Sequence, residues 1–285
     1  MTQQREKWDV LKILNWTKGY LAEKGVENPR LEAEWMLCEA LSLDRVGLYL
    51  NFDKPLSDSE LASYRNMVAR RGKREPLQYI LGSQEFMGLD FQVTPAVLIP
   101  RHDTEVLVSE AVKRSAGAGS ILDIGTGSGC VAIALAKELP DVEVCSVDVS
   151  ADALAVAMSN AEKNGVTVQF SQGSLFEPFA GRRFDMIVSN PPYIPASDIA
   201  TLQQEVRGFE PLSALDGGAD GLDFYRSIAA EASNHLTAGG WLLLEVGAGQ
   251  APEVLELLRA GGFSRECFSE KDPAGIDRVV GGRVP

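Results

Sequence analysis

Apolar and polar positions change rhythm along this 285-residue chain, and the changes divide it. Over the first 80 or so residues the spacing is helical. Val10, Leu14, Thr17 and Leu21 recur three or four residues apart, as do Leu31, Trp35, Cys38 and Leu41, which predicts amphipathic helices. "LSDSEL" predicts a helix start. Ser57 and Glu60 have capping-box spacing, Leu56 and Leu61 that of a hydrophobic staple, and Leu61, Tyr64 and Val68 continue the apolar stripe. From Glu85 the rhythm shortens: "EFMGLDFQVTPAVLIPR" holds brief β-prone runs broken by Gly and Pro, the pattern of a hairpin linker. Strands and helices then alternate. "SILDIG", "VEVCSVD", "VTVQFSQG", "FDMIVSN" and "GWLLLEVG" read as strands, with helices from Cys130 to Leu139 and from Ala151 to Asn164. Short apolar runs separated by helices predict an α/β fold with a mostly parallel sheet covered on both faces. The expected organisation is a helical bundle domain over 1–84, a β-hairpin linker over 85–100 and an α/β domain over 101–285.

Composition narrows the class. With 45% hydrophobic and 24% charged residues the chain is ordinary for a globular protein. The polar start "MTQQREKWDV" predicts no signal peptide. No apolar run reaches the ~18 residues a membrane span needs, so no membrane association is expected. The cysteines Cys38, Cys130, Cys145 and Cys267 are scattered, which suits thiols in a reducing compartment. With only His102 and His235 available, a His-based zinc centre is not expected. These features predict a cytoplasmic protein that uses no metal.

The net charge of −13 is uneven. Residues 1–84 hold 13 Lys and Arg against 12 Asp and Glu, and the remainder 14 against 28. An acidic body repels a phosphate backbone, which argues against direct nucleic-acid binding. The one basic run, Arg70, Arg71, Lys73 and Arg74, reads as a solvated helix end.

In an open α/β sheet, ligands bind beyond the carboxyl ends of the strands. After the first strand comes "DIGTGSG", with Asp123 and then Gly125, Thr126, Gly127, Ser128 and Gly129. Glycines there let a ligand touch bare backbone at a helix N-terminus. After the second strand comes Asp148, placed to accept the hydroxyls of a ribose. "GSLF" ends the third strand and offers Leu175 and Phe176 as apolar walls for an adenine. The dinucleotide fingerprint would need Gly or Ala where this chain has Cys130, and no Walker lysine follows the glycines. An acid ahead of the first glycine also suits a positively charged ligand such as S-adenosylmethionine (SAM).

The fourth strand ends at "SNPPYIP". Its prolines fix φ and remove N–H groups, leaving carbonyl oxygens without competing donors. Asn190 adds a side-chain acceptor beside the Pro191 carbonyl. Two acceptors held together suit a planar –NH2 group, with Pro192 completing the turn and Tyr193 stacking on that group's flat face. A carboxamide nitrogen is a poor nucleophile because its lone pair is delocalised. Holding both its N–H groups orients it for in-line attack on a sulfonium methyl.

These blocks resemble the protein-(glutamine) methyltransferases that modify class 1 peptide chain release factors, the PrmC or HemK family. "LIPRHDTE", "LDIGTGSG", "VSNPPYIP", "FEPLSALDGGADGL" and "LLLEVGAGQ" look like successive family blocks, and "DRVVGGR" like the C-terminal strand. "NPPY" alone is shared with methyltransferases of exocyclic amines in DNA or RNA, which is the alternative function. A nucleotide-binding protein without methyl transfer is a third. The resemblance implies a Rossmann-like SAM-dependent methyltransferase that releases S-adenosylhomocysteine. It implies SAM along Gly125 to Gly129 and at Asp148, and Asn190 and Pro191 holding the glutamine of a Gly-Gly-Gln loop beside Tyr193. It also implies that the helical domain helps hold the release factor. A monomer is expected. His102 stands where the family often has Pro, and Ser174 where it often has Asp. Arg101 and Glu105 are expected to order the linker, Glu245 to cap a turn and His235 to serve a helix C-terminus.

Overall fold

The computed structural model describes residues 8–285. Its contacts separate the chain into two units. One runs up to Gly82 and also takes in Gln204–Phe209; the other comprises Ser83–Gln203 and Glu210–Pro285.

The first unit is helical: α1 (Val10–Glu23), α2 (Pro29–Leu41), α3 (Arg45–Leu50), α4 (Asp58–Arg71) and α5 (Leu77–Leu81). Asp9 caps α1 by accepting from the Lys12 N–H at 2.8 Å. The capping box on α4 closes, with the Ser57 hydroxyl on the Glu60 N–H and the Glu60 carboxylate on the Ser57 N–H. Val10, Leu14 and Leu21 pack with Met36, Leu37, Tyr64 and Val68 in one core, and Leu56 and Leu61 lean on it.

Helix α2 forms where its spacing predicts, and the C-terminal half of the predicted stripe turns inward, with Leu41 buried and Cys38 packed on the core, but the N-terminal half does not. Leu31 and Trp35 are exposed, while Ala33, Met36 and Leu37 are buried. Both stripes of α2 are apolar, so periodicity did not choose between them. Glu34 goes inward with the second stripe because Arg30, Arg45 and Tyr49 meet its carboxylate.

The basic run is also corrected. Arg70 pairs with Glu75, and Arg74 with Glu205 at 2.7 Å. Arg71 is only 5% exposed and engages Glu32 and, at 3.0 Å, Glu205. It is not a solvated helix end, because carboxylates distant in sequence neutralise it.

The second unit opens with a hairpin, β1 (Ser83–Phe86) against β2 (Leu89–Gln92), followed by α6 (Glu105–Arg114). The alternating part supplies β3 (Ser120–Ile124), α7 (Cys130–Glu138), β4 (Glu143–Asp148), α8 (Ala151–Asn164), β5 (Gln169–Gln172) and β6 (Phe184–Ser189). After α9 (Gln204–Phe209) come α10 (Asp223–Glu231), β7 (Leu236–Glu245), α11 (Ala251–Ala260), β8 (Arg265–Lys271) and β9 (Asp277–Arg283). The sheet order is β5-β4-β3-β6-β7-β9-β8, parallel except where β9 runs against β7 and β8. This is the mostly parallel sheet the alternation predicts. β8 was not anticipated, since its charged residues suit a sheet edge and mask the apolar rhythm.

Successive residues of β3 serve opposite faces. Leu122 and Ile124 join the core beneath α10 and α11, and Ile121 the core beneath α6 and α7. Strand order turns back between β3 and β6, which sets the ligand crevice at their carboxyl ends. Among the described residues no helix is long and apolar enough to cross a membrane.

Candidate active site

A cavity of about 160 Å3 lies at the carboxyl ends of β3 to β6. Of the residues singled out from sequence, Asp123, Gly125, Thr126, Gly127, Ser128, Asp148, Leu175, Asn190, Pro191 and Pro192 line it. Gly129, Phe176 and Tyr193 do not. Gly129 has φ +83°, and a Cβ there would stand 2.8 Å from Ile133 Cδ1 and 3.1 Å from Ala157 Cβ, so it lets α7 close against α8. Phe176 is a correction: it is 3% exposed and stacks on His235, with ring centres 4.5 Å apart, because the chain turns its ring under the sheet edge. Leu175, at φ +50°, is the residue of that pair on the wall. His235 accordingly packs on Phe176, with Nδ1 3.2 Å from the Arg182 carbonyl.

The glycine turn is tied to the second strand. The Gly125 and Thr126 N–H groups both donate to the Val147 carbonyl, at 2.9 and 3.1 Å. Asp148 accepts from the Gly127 N–H through Oδ2 and from the Ser150 N–H through Oδ1, each at 2.9 Å. Its carboxylate is thereby fixed on the wall. Asp123 is buried and accepts from the Ser146 hydroxyl at 2.8 Å. Burial pushes its pKa up to about 7.

The proline corner rests on a glycine-rich turn. The Ile194 N–H donates to the Leu215 carbonyl and the Gly217 N–H to the Ile194 carbonyl, at 3.0 and 2.9 Å. At Gly221, φ is +78° and a Cβ would lie 2.3 Å from the Tyr193 carbonyl oxygen, so the "DGGADGL" segment approaches only as glycine. Gln250 Nε2 donates to that same carbonyl at 3.0 Å. The "FEPLSAL" and "LLLEVGAGQ" blocks therefore brace the corner. Tyr193 packs against the core beneath α10 and α11, and burial pushes its phenol up to about 12.

The Asn190 amide is oriented. Its Nδ2 donates to the Thr104 hydroxyl at 3.1 Å, which turns Oδ1 the other way. Thr104 is buried at the head of α6 and also lines the cavity. Behind both stands Glu245 at the end of β7, 1% exposed, with Oε2 lacking any hydrogen-bond partner. Burial pushes its pKa up to about 7, against the pull of the Thr104 hydroxyl, Arg278 and the Asn190 amide. Glu245 caps no turn.

Known proteins match along the whole chain. The family model described as the PrmC N-terminal domain matches residues 12–82, and that of the methyltransferase small domain residues 102–206. The release factor glutamine methyltransferase of Geobacter sulfurreducens is 62% identical over 284 residues, all of both chains. The chain belongs to the release factor glutamine methyltransferase family. A second relative of that name, from Moorella thermoacetica, is 45% identical over 90% of this chain and 92% of its own. A methyltransferase from Pyrococcus furiosus shares the fold at TM-score 0.52 and 21% identity, over 70% of this chain and 90% of its own.

A member of this family needs room for SAM, and the residues present fit it. Thr126 Oγ1 and Ser128 Oγ are buried in the cavity wall without partners, as hydroxyls awaiting a polar ligand would be. Asp123 and Asp148 bring carboxyl groups to the same wall. Among the described residues no His, Cys, Asp and Glu cluster could hold a metal ion.

Sequence reasoning missed part of the site. Ala96, Val97, Leu98, Pro100 and Arg101 line the cavity, so the segment after β2 is a wall and not only a connection. Arg101 pairs with Glu210, whose carboxylate also takes the Ile99 N–H at 3.2 Å; Glu105 instead receives the Met87 N–H at 3.3 Å. Asn160 of α8 donates to the carbonyls of Gln92 and Ser128, at 3.0 and 2.9 Å, fastening the hairpin to the glycine turn. The prolines around Leu98 and the glutamate beside Pro211 were the available signals.

Proposed function

We propose that this protein transfers a methyl group from SAM to the side-chain amide nitrogen of the glutamine in the Gly-Gly-Gln loop of class 1 peptide chain release factors. The reading rests on family membership and on one observation of the site. The Asn190 amide donates through Nδ2 to the Thr104 hydroxyl, which leaves Oδ1 to accept an N–H from a carboxamide. SAM, when bound, supplies an electrophilic methyl on a sulfonium. The chain's own part is orientation. Asn190 Oδ1 and the Pro191 carbonyl take the two hydrogens of the glutamine –NH2, and Pro192 and Tyr193 fix the corner that carries them. Asp148 and the turn from Gly125 to Ser128 hold the cofactor, with Leu175 against its adenine.

The helical unit is assigned to the body of the release factor, and the 101–285 segment to the chemistry. A monomer acting in the cytoplasm without a metal completes the reading. Labelled methyl from SAM is expected on purified release factor, and neither on the factor with that glutamine changed to alanine nor on tRNA. Label on tRNA alone would sink the glutamine assignment and establish the nucleic-acid alternative.

A further inference from the structure

We propose that Glu245 is a positioning residue for methyl transfer: with Thr104, it holds both hydrogens of the Asn190 amide and so keeps Oδ1 for the acceptor. The inference rests on the glutamine reading above. An asparagine amide is nearly symmetric in shape, so only its partners decide which end faces a substrate. One Nδ2 hydrogen goes to Thr104 Oγ1 at 3.1 Å. That hydroxyl, having accepted, has its own proton left to give, and the parallel register of Ser189 with Leu244 sets Glu245 at the strand end beside Asn190; the Thr104 hydroxyl and the Asn190 amide both pull its pKa down. An ionised Glu245 accepts from both. A protonated Glu245 donates to Thr104 instead and competes with Asn190 for the same oxygen. The unpartnered Oε2 of a carboxyl 1% exposed has no evident structural use, since a glutamate kept only for packing would be fully bonded.

The charged and titratable groups facing Glu245 come from every side. Arg278 on β9 favours the carboxylate, and Asp103 ahead of α6 opposes it. Arg278 pairs with both Asp103 and Asp272, at 2.7 and 2.9 Å, so its charge is shared. Tyr193, Tyr225 and the Cys130 thiol also face it, and all three titrate above the neutral range. Asp123, which like Glu245 acts on the Cys130 thiol, is also pushed up to about 7 by burial.

The test is steady-state methyl transfer to purified release factor, with SAM affinity measured separately by calorimetry. Glu245→Ala and Thr104→Val are expected to lower kcat by about 100-fold, with SAM affinity and KM within about three-fold. Thr104→Ser recovers most of that loss. Wild-type kcat/KM rises with pH through about 7, and Glu245→Gln loses that inflection while keeping part of its activity. Asp123→Asn controls for the second carboxyl and keeps it. Wild-type kcat and pH profile in both Glu245→Gln and Thr104→Val would overturn the proposal. So would losses of SAM binding and thermal stability that match the loss of rate. Failure of the wild type to label the glutamine would instead sink the functional reading. The same variants, assayed on whichever amine is labelled, still decide the role of Glu245.

Discussion

Two glutamates, one in each unit, are each 1% exposed, and they titrate in opposite directions. Glu34, in the helical unit, receives Arg30 at 3.0 Å, Arg45 at 2.8 Å and Tyr49 at 2.9 Å. Burial pushes its pKa up, but those bonds outweigh burial and hold it below the usual range. Glu245, at the cavity, has one oxygen with no partner, and burial prevails. Equal exposure of the same side chain therefore does not fix its charge; how deep it lies and which donors reach it decide together. A fully bonded carboxylate fastens a scaffold. One left short of bonds holds free energy that a reaction can use.

Four measurements can break or sharpen that contrast. The largest effect is expected at the group that Glu245 orients. Asn190→Ala should lower kcat by about 100- to 1000-fold while SAM affinity changes only a few-fold, as read by single-turnover transfer and calorimetry. Equal losses in both would make Asn190 structural and place Glu245 with Glu34.

The second is the pH dependence of stability. Glu245 is raised from 4.5 to about 7, so between those values the unfolded state has lost a proton that the folded state retains. Stability is then fully present below about 4.5 and falls as pH rises to about 7, by on the order of 3 kcal/mol for a shift of that size. Asp123 is raised to about 7 as well and adds a fall of the same sign, so Glu245→Gln should remove the share of Glu245 from this limb in urea titrations and leave that of Asp123. Glu34 is lowered, so its contribution is present above 4.5 and is lost as pH falls through its folded value. Glu34→Gln should flatten the acid limb only. Interchanged limbs would break the comparison.

Third, Glu34→Ala should cost about 2 kcal/mol in urea unfolding, since Arg30 and Arg45 are half-exposed and regain water. SAM affinity should not change. The smallest effect separates two neighbours: Phe176→Leu should cost about 1 kcal/mol and leave SAM affinity alone, whereas Leu175→Ala should weaken SAM binding a few-fold. A SAM defect in the Phe176 variant would return that ring to the cavity wall.

What could be read beforehand follows the same division. The β3 strand, the glycine turn, Asp148 and the proline corner are local patterns, each decided by residues within a few positions, and the chain announces them. The partners of charged side chains are not local. Nothing around Glu245 in "LLLEVGAGQ" points to Thr104, 141 positions earlier. Arg101 has Glu105 nearby and takes Glu210 instead. The face of α2 escaped for a related reason: two apolar stripes compete, and the donors for Glu34 come from α3 as well as α2. Periodicity reports how a segment repeats, not which distant carboxylate meets which base.

The return of Gln204–Phe209 to the helical unit bears on how the chain is made. Arg71 and Arg74 leave the ribosome long before Glu205, their shared partner in that unit. Until residue 205 has emerged, the helical unit carries two guanidinium groups short of a carboxylate, at positions destined to be covered. Synthesis usually lets the first domain settle while the next is still being translated. Here the first unit takes in a segment encoded well past the proline corner, so its ion pairs to Glu205 form last, after Arg71 has met Glu32. A gene cut after Gly82 would yield helices without their closing ion pairs.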